Sequence, residues 1–198
     1  MRMVLGVSGA SGAVLALDCA RALIRLGAEV DLVLSDMALR TLCDEVGPDA
    51  GVVLGSLAAR VHPLRDLGAA IASGSCPVAG MIVAPCSMRS LAAIAHGMDD
   101  NLLVRAAGVQ LKERRPLILI AREAPLTLAH LKNMQAATEM GAVILPPVPA
   151  FYLRPTTLAD VTAQIAARAV DLLRLGPALA RAWSPDSPPI KPEPDHEP

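Results

Sequence analysis

Residues 6–12 read GVSGASG, between the apolar opening MRMVL (1–5) and the long apolar run AVLALDCARALIRL (13–26). A short strand, a glycine-rich turn and a helix in that order predict an α/β unit, with backbone N–H groups and a helix start turned toward an anion. Which anion is narrowed by spacing. A dinucleotide loop needs G-x-G-x-x-G, and setting Gly9 and Gly12 on its last two glycines puts Val7 on the first. A P-loop needs a lysine after its final glycine, and none is near. A mononucleotide phosphate among small hydroxyls fits better, with a plain tight turn as the alternative.

Beyond the loop the alternation continues. Strands are expected at Met3 to Val7, Glu29 to Leu34, Gly80 to Ala84, Pro116 to Ala121 and Ala142 to Leu145. Helices are expected at Gly12 to Leu26, Asp36 to Glu45, Ser87 to His96, Asn101 to Arg114, Leu126 to Met140 and Thr157 to Leu175. The fold class is therefore α/β, a three-layer Rossmann-like (flavodoxin-like) arrangement on a mostly parallel sheet. Residues 47–79 resist assignment apart from a strand near Val61. Residues 1–183 are expected to form one domain, and the prolines and charges of 184–198 a disordered tail.

Composition excludes several classes. A formal net charge of −1 offers no basic field for nucleic acid. No stretch reaches the roughly eighteen apolar residues of a membrane span, and polar Ser8 and Ser11 interrupt any secretory core. Cys19, Cys43, Cys76 and Cys86 form no C-x-x-C pair, so buried thiols in a reducing cytoplasm are expected. At 53% hydrophobic and 2% aromatic, the core must be aliphatic, and apolar surface should remain for homo-oligomerisation.

Chemistry gathers at the expected strand ends. APCSMRS (84–90) repeats the logic of the first loop, with Ser87 a natural N-cap that also suits a nucleotide cradle. KERRPLILIAREAP (112–125) delivers Arg122 and Glu123 after a nearly pure aliphatic strand, a fork for phosphate beside a proton donor, or else a simple ion pair. Arg105 and Lys112, seven apart, share a helix face about 10 Å long, with Gly108 between them leaving room for a ligand. Asp160, Gln164 and Asp171 share the face of Arg168, which alone would place that arginine in solvent.

The set GASG, Ser35, PCSMRSLA, LKERRPL, REAP, GAVILPPVPAFY and Arg168 strongly resembles the UbiX flavin prenyltransferases, from about Met3 to Trp183. The resemblance implies a Rossmann-like fold, reduced FMN as prenyl acceptor, and dimethylallyl phosphate as donor, without a metal. It further implies a homododecamer with sites at subunit interfaces, and a product, prenylated FMN, delivered to a UbiD-type decarboxylase. By the same resemblance Gly9, Ala10, Ser11, Ser35, Ser87, Met88, Arg89, Ser90 and Arg122 contact FMN. Arg105, Lys112 and Glu123 lie around the allylic phosphate, Tyr152 and Arg168 reach it from a neighbouring subunit, and Glu45 and Ser11 belong to the catalytic set. Trp183 matches an aromatic that covers the pocket. A flavin-dependent cysteine decarboxylase is the rival, but it asks for a histidine and P-x-M-N where this chain reads PCSM. A passive FMN carrier would leave Lys112, Glu123, Tyr152 and Arg168 without a use.

Overall fold

Every position of Leu117–Ala121 is buried, the pattern of a strand covered on both faces. In the computed structural model, which describes residues 1–185, that strand is β5 of a six-stranded sheet. The others are β1 (Arg2–Val7), β2 (Glu29–Leu34), β3 (Arg60–His62), β4 (Val78–Cys86) and β6 (Val143–Ile144). Their order is β3-β2-β1-β4-β5-β6, and every pair is parallel. This is the dinucleotide-fold order. Without the three-residue edge strand β3 it reduces to the flavodoxin order.

Parallel neighbours need crossovers, and these are helical: α1 (Val14–Arg25), α2 (Asp36–Glu45), α3 (Ala50–Leu57), α4 (Met88–Ala95), α5 (Leu102–Lys112), α6 (Leu128–Glu139) and α7 (Leu158–Asp171). Strand alternation sends Met3, Leu5 and Val7 to a cluster with α1, α3 and α7. Val4, Val33, Met81 and Val83 go to the opposite cluster, with α4 and α5. The helices α5 and α7 thus lie on opposite sides of the sheet. Gly6 permits this closeness, since a Cβ there would stand 3.0 Å from Met81 Cε and 3.1 Å from Leu103 Cγ.

Among the described residues one charged side chain is fully buried. Asp31 on β2 has no exposed surface, and it accepts two bonds from Arg2, at 2.9 and 2.8 Å, and lies 2.8 Å from His62 Nε2. A buried carboxylate so enclosed is tolerable because its lone pairs are occupied.

Several expectations are revised. The unassigned stretch 47–79 holds α3, β3 and a single 3-10 turn, Ala70–Ala72. The segment AGVVLGSL forms α3 despite two poor helix formers, Gly51 and Gly55, and buries only Ala50 and Leu54. Strand β4 runs on through Pro85 to Cys86 instead of closing at Ala84, because a register shift between Val83 and Cys86 spares the proline a ladder bond it cannot donate. Residues 186–198 of the expected tail lie outside the described residues. Among the described residues no helix is long and apolar enough to cross a membrane.

Candidate active site

The chain leaves β1 for β2 and β3 on one side, then crosses to β4, β5 and β6 on the other. The crevice between the carboxyl ends of β1 and β4 is therefore the switch point of the sheet. Ser8, 1% exposed, ties the two ends together: its hydroxyl donates to Pro85 O at 3.0 Å and accepts from Ser87 N at 2.7 Å. Ser35 caps α2 by accepting from Ala38 N at 3.1 Å, and Ser87 caps α4 by accepting from Ser90 N at 3.3 Å. Both helix starts open on a cleft of about 450 Å³ lined by Ser8, Gly9, Ser35, Ser87, Arg89 and Ser90 among others. Gly9 is required by space, since a Cβ there would fall 2.2 Å from Met37 Cβ. Small hydroxyls, two helix N-termini and one guanidinium suit a phosphate monoester such as that of FMN. The Arg89 guanidinium is paired with Asp100. Ala10 and Met88 are buried and do not line this cleft.

The glycine turn itself holds a different anion from the one its sequence suggests. Glu45, at the end of α2, accepts from Gly12 N and Ala13 N, each at 2.8 Å. Gly12 has φ of +100°, a conformation that side chains rarely adopt, and this aims the two N–H groups together. Partial burial works to raise the Glu45 pKa, but the Ala13 N–H, the Ser11 hydroxyl, the Gly12 N–H and the Arg122 charge outweigh it and hold the carboxyl below its ordinary range. Two N–H groups of this turn are thus occupied by Glu45, while Gly9 of the same turn lines the first cleft beside the starts of α2 and α4. Ser11, Glu45 and Arg122 line a second cleft of about 390 Å³ with Pro147, Pro149 and Ile165.

Pro149 and Ile165 also line a third pocket, about 480 Å³, which therefore adjoins the second. It contains Tyr152, from the 3-10 turn Phe151–Leu153, and Arg168 from α7. Among the described residues the Arg168 side chain makes no ion pair or hydrogen bond. An arginine with unused donors on a pocket wall is available to an anion.

Three expected residues stand apart. Arg105 donates to Ala72 O at 3.1 Å and pairs with Asp99 at 2.7 Å, while Lys112 pairs with Glu113. A Cβ placed at Gly108 would stand 3.2 Å from Asp99 Oδ1. Neither cation lines the three pockets. Glu123 is exposed beside Arg122, and its Oε1 accepts from Ala124 N at 3.0 Å. The simple ion pair with Arg122 is not formed.

Contrary to the expectation of buried thiols, Cys43 is exposed; Cys19, Cys76 and Cys86 are buried. Burial pushes the Cys86 thiol up to about 12, so it stays protonated at neutral pH. His62, His96 and His130 bond to Asp31, Asn133 and Thr127 N respectively, away from the pockets. Among the described residues no group of three or more His, Cys, Asp or Glu side chains is placed to hold a metal ion. Sequence reasoning took Ser8 only as a polar break and Asn101 only as a helix start; both line the first cleft. Asn101 caps α5, accepting from Val104 N at 3.1 Å, and its signal was the polar run before LLV.

Residues 1–169 match the family described as Flavoprotein. A flavin prenyltransferase UbiX from Thauera aromatica is 50% identical over 184 residues, covering 93% of this chain and 94% of that protein. The chain belongs to the UbiX flavin prenyltransferase family. A crystal structure of a UbiX protein, PadA1, in complex with FMN and dimethylallyl pyrophosphate superposes with a TM-score of 0.88 at 43% identity, covering 92% of this chain and 97% of that one. A dodecameric FMN-dependent UbiX-like decarboxylase from Escherichia coli O157:H7 superposes with a TM-score of 0.87 at 41% identity, covering 93% and 100%. UbiX enzymes are transferases.

Proposed function

We propose that the chain transfers a dimethylallyl group from dimethylallyl phosphate to N5 and C6 of reduced FMN, in the cytoplasm, making a cofactor for a UbiD-type decarboxylase. The observation that carries this reading is the unpaired Arg168 beside Tyr152, in a pocket adjoining Glu45 and Arg122. A carrier of FMN has no use for such an arrangement.

The first cleft fits FMN because its donors are hydroxyls and helix starts, and because Gly9 keeps its floor clear of a side chain. Ser35, Ser87 and Ser90 would hold the phosphate. When bound, reduced FMN supplies the electron-rich ring that takes the prenyl carbon. Glu45, kept ionised and fixed by two N–H groups, shares the second cleft with Ser11 and Arg122 and would balance the Arg122 charge. Arg168 and Tyr152 would grip the phosphate of the allylic ester, whose departure as a monoanion or dianion needs fixed positive charge.

Arg105, Lys112 and Glu123 join this reading through assembly. Helix α5 lies across the sheet from α7, so the two cationic sets of one chain face different ways. A homododecamer like that of the E. coli relative would let one copy offer Arg105 and Lys112 to a pocket whose Tyr152 and Arg168 belong to another.

The test is anaerobic incubation of the protein with reduced FMN and dimethylallyl phosphate, and in parallel dimethylallyl pyrophosphate, followed by the mass of the released flavin. A prenyl adduct supports the proposal, and unmodified flavin with both donors removes it. Lys112→Ala and Glu123→Gln should each abolish the adduct and leave FMN bound.

A further inference from the structure

The polar face of α7 has an occupant that its sequence does not reveal. Gln164 and Asp171 are seven residues apart, hence on one helix face, with Arg168 between them at the fourth and third positions. After α7 the chain turns back over this face. Asp171 accepts from Leu179 N at 2.7 Å through Oδ1 and from Ala180 N at 3.1 Å through Oδ2. Gln164 makes a reciprocal pair with Arg181: its Oε1 accepts from Arg181 N at 3.0 Å, and its Nε2 donates to Arg181 O at 2.9 Å. Four hydrogen bonds thus fasten residues 179–181 alongside Arg168. Ala178, Ala180, Arg181 and Ala182 then form a wall of the pocket that holds Tyr152 and Arg168.

Two features give this arrangement a purpose beyond tying down a chain end. Both carboxylate oxygens of Asp171 accept strap N–H groups, so the acid one turn from Arg168 is turned toward the strap. The strap presents the small Ala178, Ala180 and Ala182 to the pocket together with a second arginine, Arg181.

We propose that Gln164 and Asp171 are positioning residues for the allylic substrate: they hold the 178–182 strap as the pocket wall beside Arg168. The inference rests on the proposed prenyl-transfer reading of the Tyr152–Arg168 pocket. The flavin cleft, lined from β1, β4 and the starts of α2 and α4, contains neither residue.

The experiment uses the full chain loaded with FMN. Gln164→Ala and Asp171→Ala are expected to raise KM for dimethylallyl phosphate about tenfold, the scale of one or two hydrogen bonds lost, with kcat changed less than about threefold. FMN stoichiometry should stay at the wild-type value. Trp183, the single tryptophan, lies two residues past Arg181 and is exposed, so its fluorescence anisotropy should fall in both variants. Gln164→Glu keeps the acceptor for Arg181 N and should recover part of both signals. Ala182→Leu removes no hydrogen bond but fills the pocket from the strap, and should also raise KM. Unchanged KM in Gln164→Ala and Ala182→Leu would overturn the proposal, whatever the anisotropy does. If the wild type makes no prenyl adduct, the prenyl-transfer reading fails separately. The strap is then judged by dimethylallyl phosphate raising the Trp183 anisotropy in wild type but not in Gln164→Ala; no difference between them overturns it.

Discussion

Glu45 is a carboxylate placed where the sequence asks for a ligand's anion. Its folded pKa lies below the ordinary value, so its contribution to stability is complete only above the ordinary carboxylate pKa of about 4.3 and is lost as pH falls through the lower, folded value. Glu45→Gln should therefore lower Tm at pH 7, and the gap from wild type should narrow between pH 5 and pH 3 in a thermal-melt series, at about the carboxylate range. Asp31 follows the same sign. Burial acts to raise its pKa, yet the bonds from Arg2 and His62 outweigh it, and the group stays ionised inside the sheet. Removing it as Asp31→Ala leaves Arg2 and His62 without their shared partner and should cost about 3–5 kcal/mol in urea unfolding. Gly9 shows the steric counterpart. Gly9→Ala would press a Cβ to 2.2 Å from Met37 and should displace α2 from the cleft, read as loss of FMN retention on gel filtration.

At the scale of elements, the helix starts matter most. Ser35 and Ser87 serve as caps and line the flavin cleft at once, so capping and binding are not competing explanations of these serines. Ser35→Ala and Ser87→Ala should each lower stability by about 1 kcal/mol and weaken FMN retention further when combined. Most elements were legible because buried parallel strands are near-continuous aliphatic runs, LILIA above all, and because Ser35, Ser87, Asn101 and Thr157 mark helix starts. Helix α3 was not legible, since its glycines and adjacent valines show no helical period and Val52 remains 75% exposed. The site was legible in parts. Spacing placed the strand-end serines and the Arg122–Glu123 pair. It could not show that Glu45, far along the chain, closes the first glycine turn, or that the strap occupies the face of Arg168, because both depend on tertiary return of the chain.

At the scale of the molecule, the opposite placement of α5 and α7 makes a distinct prediction. If sites are completed between copies, Arg168→Ala and Lys112→Ala proteins, each inactive alone, should regain partial turnover when dissociated, mixed and reassembled. Sites whose contributors both happen to be intact would account for it. Activity that stays at zero in verified mixed assemblies would place both cations in one chain's site.

The sheet ends in strands of three and two residues, β3 and β6. Such short borders expose few unpaired backbone donors and acceptors, so they offer little template for a foreign strand to add on. A chain this rich in aliphatic side chains can therefore crowd against its own copies with little hazard of fibril growth, because contact is left to helix flanks and loops, where side-chain shape decides which neighbours are admitted.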